Sequence, residues 1–141
     1  MQVSKHTDLT DGSSCTLYFE EPTGWLRAVW LGYIDPIEAY NGAERFLQVE
    51  QERHCAFLLN DNSGVSGPWF DSMDWLSRVW IPQAARLGLR YVAHVPQPST
   101  LIAETIAIRQ ANLAGGLDIQ VFDTVAEAEQ WLHEMQTVSA T

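Results

Sequence analysis

The chain has 141 residues, a length suited to one domain that buries about two-thirds of its unfolded surface. Its 18 Asp and Glu outweigh 8 Lys and Arg, for a formal net charge of −10. That balance argues against nucleic acid, whose phosphates need a basic face, and against an anionic membrane surface.

Residues 1–14, "MQVSKHTDLTDGSS", are polar and lack the apolar core of a secretory leader. They are expected to form a mobile segment ahead of one domain over 15–136, with 137–141 as a frayed tail. No apolar run approaches the roughly 20 residues of a membrane-spanning helix, so a cytoplasmic protein with no integral-membrane segment is expected. Residues 15–20, "CTLYFE", and 25–33, "WLRAVWLGY", read as strands. The "EPTG" between them is turn chemistry and predicts an antiparallel hairpin. Trp25 and Trp30 have opposite parity on the second strand, which sends them to opposite faces of the sheet.

The hydrophobic period then changes. Residues 35–53 place Ile37, Tyr40, Ala43 and Leu47 on one helical face. Asp35 suits the N-cap, Pro36 the first helical position and Glu38 a capping box. The run "CAFLLND" (55–61) is almost unbroken in apolar character and predicts a strand buried on both faces. A helix follows around 70–86, in which Pro82 must end or kink the turn because it lacks an N–H. Residues 89–95 form the next strand, 100–114 a helix stopped by Gly115 and Gly116, and 117–122 the last strand. Thr124 and Glu127 make a second capping box, opening a helix with Val125, Ala128, Trp131 or Leu132, and Met135 on one face. The order β-β-α-β-α-β-α-β-α predicts an α/β fold: a mixed five-stranded sheet with one antiparallel edge strand, the rest parallel, and about four helices.

In such a sheet, ligands gather at the carboxyl ends of the strands. Tyr33, Asp35, Asn60 to Ser63, His94 and Asp123 fall there. A hydrolase would use His94 as base near Asp61 with Ser63 or Ser66 as nucleophile, but no G-x-S-x-G elbow is present. "NDNSG" (60–64) has the small polar spacing of a calcium loop, yet Phe70 stands where the bidentate acid belongs. "GVSG" (64–67) has no following lysine and is no phosphate loop. The four histidines show no i, i+4 pair, so neither a metal nor another cofactor is expected. Cys15 and Cys55 have no metal-ligand spacing and read as buried small hydrophobes. Six tryptophans are many for this length, and Trp69, Trp75 and Trp80 cluster around the third helix-strand connection. They fit either a core helix or an aromatic binding ridge.

A strand ending in Asp61, a Ser63-Gly64-Val65 turn and an Asp71-Ser72 pair opening a helix resemble the STAS domain of anti-sigma-factor antagonists. The stretches "WLGYIDPIEA", "LLNDNSG", "WIPQAARLGLRYVAHVPQP" and "LDIQVFDTVAEAEQWL" resemble a bacterial group of small STAS/SEC14-like proteins with a SpoIIAA-like fold. The likeness spans residues 15–135 and carries no assigned activity. It implies a non-catalytic regulatory or protein-interaction module with a protein partner or a second copy, as a homodimer. Its SEC14 side implies a small apolar ligand or lipid. It makes Ser72 the candidate phosphosite, although the gap before that serine is longer here and holds Trp69 and Phe70. The candidate binding surface comprises Asn60, Asp61, Ser63, Trp69, Phe70, Trp75 and His94.

Overall fold

A computed structural model of the chain describes residues 1–7, 12–66, 76–113 and 117–139. Its centre is one six-stranded sheet in sequence order: β1 (Gln2–Thr7), β2 (Ser14–Glu20), β3 (Trp25–Tyr33), β4 (Phe57–Ser66), β5 (Tyr91–Val95) and β6 (Asp118–Val121). β1, β2 and β3 pair antiparallel, and β3 to β6 pair parallel. The expected five strands are therefore six. Residues 2–7, expected to be mobile, form β1 on the outer side of β2, so the edge strand is β1. A polar sequence can take this place because an edge strand needs backbone partners more than a buried side-chain face.

Turn chemistry sets the β2–β3 hairpin, where Gly24 adopts φ +77° and donates its N–H to the Glu20 carbonyl. α1 (Pro36–Arg53) connects β3 to β4. Asp35 caps it by accepting the Glu38 N–H at 2.8 Å, and Pro36 opens it, as expected. A π-helical turn (Leu76–Trp80) leads into α2 (Ile81–Leu87). Pro82 thus stands in the first turn of α2 rather than at a helix end, where its missing N–H costs nothing. α3 (Leu101–Leu113) connects β5 to β6, and α4 (Val125–Ser139) closes the chain, its first turn held by Thr124 accepting the Glu127 N–H. α4 runs past residue 136, into what was expected to be a frayed tail.

Two apolar layers flank the sheet. On one face, Phe46 and Leu47 of α1, Trp80 of the π turn, Ile81 and Ala84 of α2, and Ile108 of α3 pack on Leu26, Leu58, Val92 and Ile119. On the other, Ala128 and Leu132 of α4 pack on Trp25, Leu59, Ala93 and Val95. Trp25 and Trp30 do face opposite layers, and Leu58 and Leu59 bury β4 on both sides. Arg27 joins β3 to α4 by pairing with Glu129 at 3.0 Å, while also holding Glu20 at 2.6 Å.

The buried stripe of α1 differs from the expected one. It is Ala39, Gly42, Phe46, Leu47 and Glu50, while Ile37 is 72% and Tyr40 44% exposed. Of the expected stripe, Leu47 is buried and Ala43 packs against the core, whereas Ile37 and Tyr40 face outward; small residues are needed against the sheet because the Trp30 indole lies directly over Gly42. The same stripe carries Glu50 into the interior, where its Oε1 accepts the Cys55 N–H and its Oε2 has no partner. Burial raises the Glu50 carboxyl to about 7, against the opposing pull of the Cys55 N–H and the His54 charge. A raised carboxyl favours the folded state while it is protonated, below the ordinary value, and that contribution is lost as pH climbs through about 7. Glu50→Gln keeps the acceptor and removes the titration. Its stability relative to the parent should improve by roughly 2–3 kcal/mol between pH 5 and pH 8 in urea unfolding. A parallel pH dependence in parent and variant would show that Glu50 is ionised throughout. Cys15 and Cys55 are free thiols and buried, as expected.

Candidate functional site

At the carboxyl ends of β3, β4 and β5, the three-helix face opens into a cavity of about 160 Å³. Its wall is mostly aliphatic and aromatic, with Phe46, Leu58, Trp80, Ile81, Val92 and Ile108 among its lining residues. The Trp80 indole is oriented by donating to the Ala43 carbonyl at 3.0 Å, and its ring lies 5.5 Å from that of Phe46.

One end of this cavity is polar, and its side chains form a continuous chain. Trp30 Nε1–H donates to Asn60 Oδ1 at 2.9 Å. Asn60 Nδ2 lies 2.9 Å from His94 Nδ1, and His94 Nε2 lies 2.6 Å from Glu104 Oε1. Thr100 Oγ1 donates to the other Glu104 oxygen. The indole N–H can only donate, so Asn60 must turn its oxygen to Trp30 and its amide N–H to His94. Nδ1 of His94 is then the acceptor, and Nε2 carries the proton given to Glu104. His94 and Glu104 are both buried. Each strand supplies its member by parity: Trp30, Asn60 and His94 all lie on the three-helix face.

β4 carries an irregularity at this point. Val29 pairs with Asp61 and Leu31 with Gly64, so β4 holds one residue more than β3 across the step. Asn60 before the bulge and Asn62 within it line the cavity, and Val65 lines it after, at a parity that an unbroken strand would have turned away. Asp61 and Ser63 fill the bulge with a local bond, Ser63 donating both N–H and Oγ–H to Asp61 Oδ1 at 3.0 and 2.6 Å.

No protein-family model matches the chain, and no curated protein matches it in sequence. Among solved structures it is similar to an uncharacterised protein of the DUF3478 family from Shewanella loihica, which has a SpoIIAA-like fold. The likeness covers 90% of this chain and 98% of that one, at a TM-score of 0.51 and 16% identity. The fold is SpoIIAA-like.

Within the SpoIIAA-like fold, the expected site residues separate. Asn60 and His94 meet, in direct hydrogen bond. Asp61 and Ser63 do not join them: they bond each other at the exposed bulge. Trp69, Phe70, Ser72 and Trp75 lie outside the described residues. Both nitrogens of His94 are engaged, by Asn60 and Glu104, rather than by Ser63 or Ser66. Sequence reasoning missed Glu104, Trp30 and Gly42. Glu104 had a signal: it is the one charged residue in "TLIAETIAI" (100–108), four residues after Thr100. Among the described residues, no group of three His, Cys, Asp or Glu converges as a metal centre, and no helix is long and apolar enough to cross a membrane.

Proposed function

We propose that the protein is a non-catalytic binding module whose cavity at the carboxyl ends of β3 to β5 takes a small, mainly apolar ligand. The cavity carries this reading. An apolar space of about 150 Å³ stays dry and accepts benzene-sized guests, which sets the scale of ligand that the 160 Å³ cavity fits. The polar chain beside it argues for binding over catalysis. Its members satisfy one another, and both nitrogens of His94 are engaged, by Asn60 and Glu104, which leaves no free nitrogen to act as a base. The protein-interaction reading draws support from Leu31, Tyr33, Ile37 and Tyr40, all exposed at the end of β3 and the start of α1. The cavity is the stronger feature because its apolar wall is built from three helices and the sheet.

Toluene titrated into the protein should raise Tm and quench tryptophan emission, since Trp30 and Trp80 both line the cavity. Saturation at a hundred times Kd would add about 2.7 kcal/mol of stability. No change in Tm or emission up to the solubility limit of toluene would refute the proposal.

A further inference from the structure

The head group of the ligand can be read from what the cavity offers, given the binding reading above. Among the described residues, its lining holds no lysine or arginine, and its one carboxyl is Glu104. An anionic ligand would bury its charge beside an acidic group with no counter-charge, which is strongly unfavourable. Fatty acids and phosphate esters are therefore poor candidates. An ammonium group would enter a wall that is mainly hydrocarbon, and both oxygens of Glu104 are already taken by His94 and Thr100.

The Trp30 indole N–H, one N–H of the Asn60 amide and the His94 Nε2–H are committed, to Asn60, His94 and Glu104. The group left without any partner is an acceptor. Asn62 lines the same cavity beside the β4 bulge, and its Oδ1 is buried with no hydrogen-bond partner. Buried polar atoms are almost always paired, so an orphaned acceptor at a cavity wall calls for a donor from the ligand.

We infer that the cavity selects an uncharged, mainly apolar ligand that donates one hydrogen bond to Asn62 Oδ1, a hydroxyl of the phenol or alcohol class. A single six-membered ring with one hydroxyl matches the volume. The apolar part of the wall contributes hydrophobic contact, and Asn62 at the polar end orients the guest.

The test is a matched series of toluene, p-cresol, 4-methylbenzoate and 4-methylbenzylamine, with Kd measured by calorimetry on the full chain. In the parent, p-cresol should bind about tenfold more tightly than toluene, the size of one net hydrogen bond. The two charged analogues should bind more weakly than toluene. Asn62→Leu should abolish the preference for p-cresol over toluene, bringing the ratio of their Kd values to about one, and Asn62→Ala should do the same should leucine disturb the bulge. Equal affinity for p-cresol and toluene would overturn the assignment of Asn62 but leave the cavity as an apolar site. Tighter binding of either charged analogue than of p-cresol would overturn the uncharged class. Failure of all four probes would remove this inference together with the proposed function.

Discussion

Replacing Glu104 with leucine should lower the unfolding free energy by about 3 kcal/mol, a drop in Tm of about 10 °C. Glu104 is fully buried, and it is the acceptor for both His94 Nε2 and Thr100 Oγ1. Leucine fits the volume but leaves two buried donors unpaired, and it is these orphans that set the cost rather than the loss of a favourable contact. Glu104→Gln should lose much less, because the amide oxygen can still take the His94 proton and the Thr100 hydroxyl can rotate to accept. The double change His94→Leu with Glu104→Leu should cost less than the sum of the two single changes, since each removes the other's stranded partner. Urea unfolding of the four variants measures this. A Glu104→Leu variant within 1 kcal/mol of the parent would mean that the chain from Trp30 to Thr100 is not closed in the folded protein, since that loss falls below what two orphaned donors cost at about 1–3 kcal/mol each.

Gly42→Ala sets two effects against each other. Alanine in a helix interior is favoured over glycine by about 1 kcal/mol. A Cβ on Gly42 would stand 2.2 Å from Cη2 and 2.9 Å from Cζ2 of Trp30, closer than any real contact. Overpacking of that kind costs about 1–3 kcal/mol, more when the obstructing group is a rigid ring than a flexible chain end. The ring cannot swing freely because its Nε1–H is held by Asn60. The clash should win, giving a net loss of about 1–2 kcal/mol by urea unfolding and a severalfold weaker toluene affinity. A stabilised Gly42→Ala would mean that the indole lies elsewhere and that glycine is present for some other reason.

Much of the architecture was readable because local chemistry and global fold agree along most of the chain. Asp35–Pro36 and Thr124–Glu127 open helices where expected, and "CAFLLND" (55–61) carries β4 through the centre of the sheet. β1 was not readable: an edge strand is stabilised by ladder hydrogen bonds to β2, which leave no hydrophobic period in "QVSKHT" (2–7). The stripe of α1 was misplaced for the opposite reason. Ile37 and Tyr40 supply strong apolar signals yet face outward, while buried Ala39 and Gly42 are weak signals, Gly42 being the one that lies against Trp30. Of the site, Asn60 and His94 were visible as strand-end polar residues. Their partners were not, because Trp30 and Glu104 lie 30 residues before and 10 after the residues they bind. Asp61 and Ser63 face away from the cavity by the alternation of the strand, whereas the bulge that brings Val65 back to it depends on pairing with β3, which no local spacing encodes.

The central claim is an apolar cavity that receives a guest beside the Trp30–Asn60–His94–Glu104 chain. A crystal of the protein equilibrated with toluene vapour tests it directly. The account predicts electron density for one ring between Phe46, Leu58, Trp80 and Ile108, with His94 still bonded to Asn60 and Glu104. A space filled by protein side chains, with no density for toluene there, would contradict it.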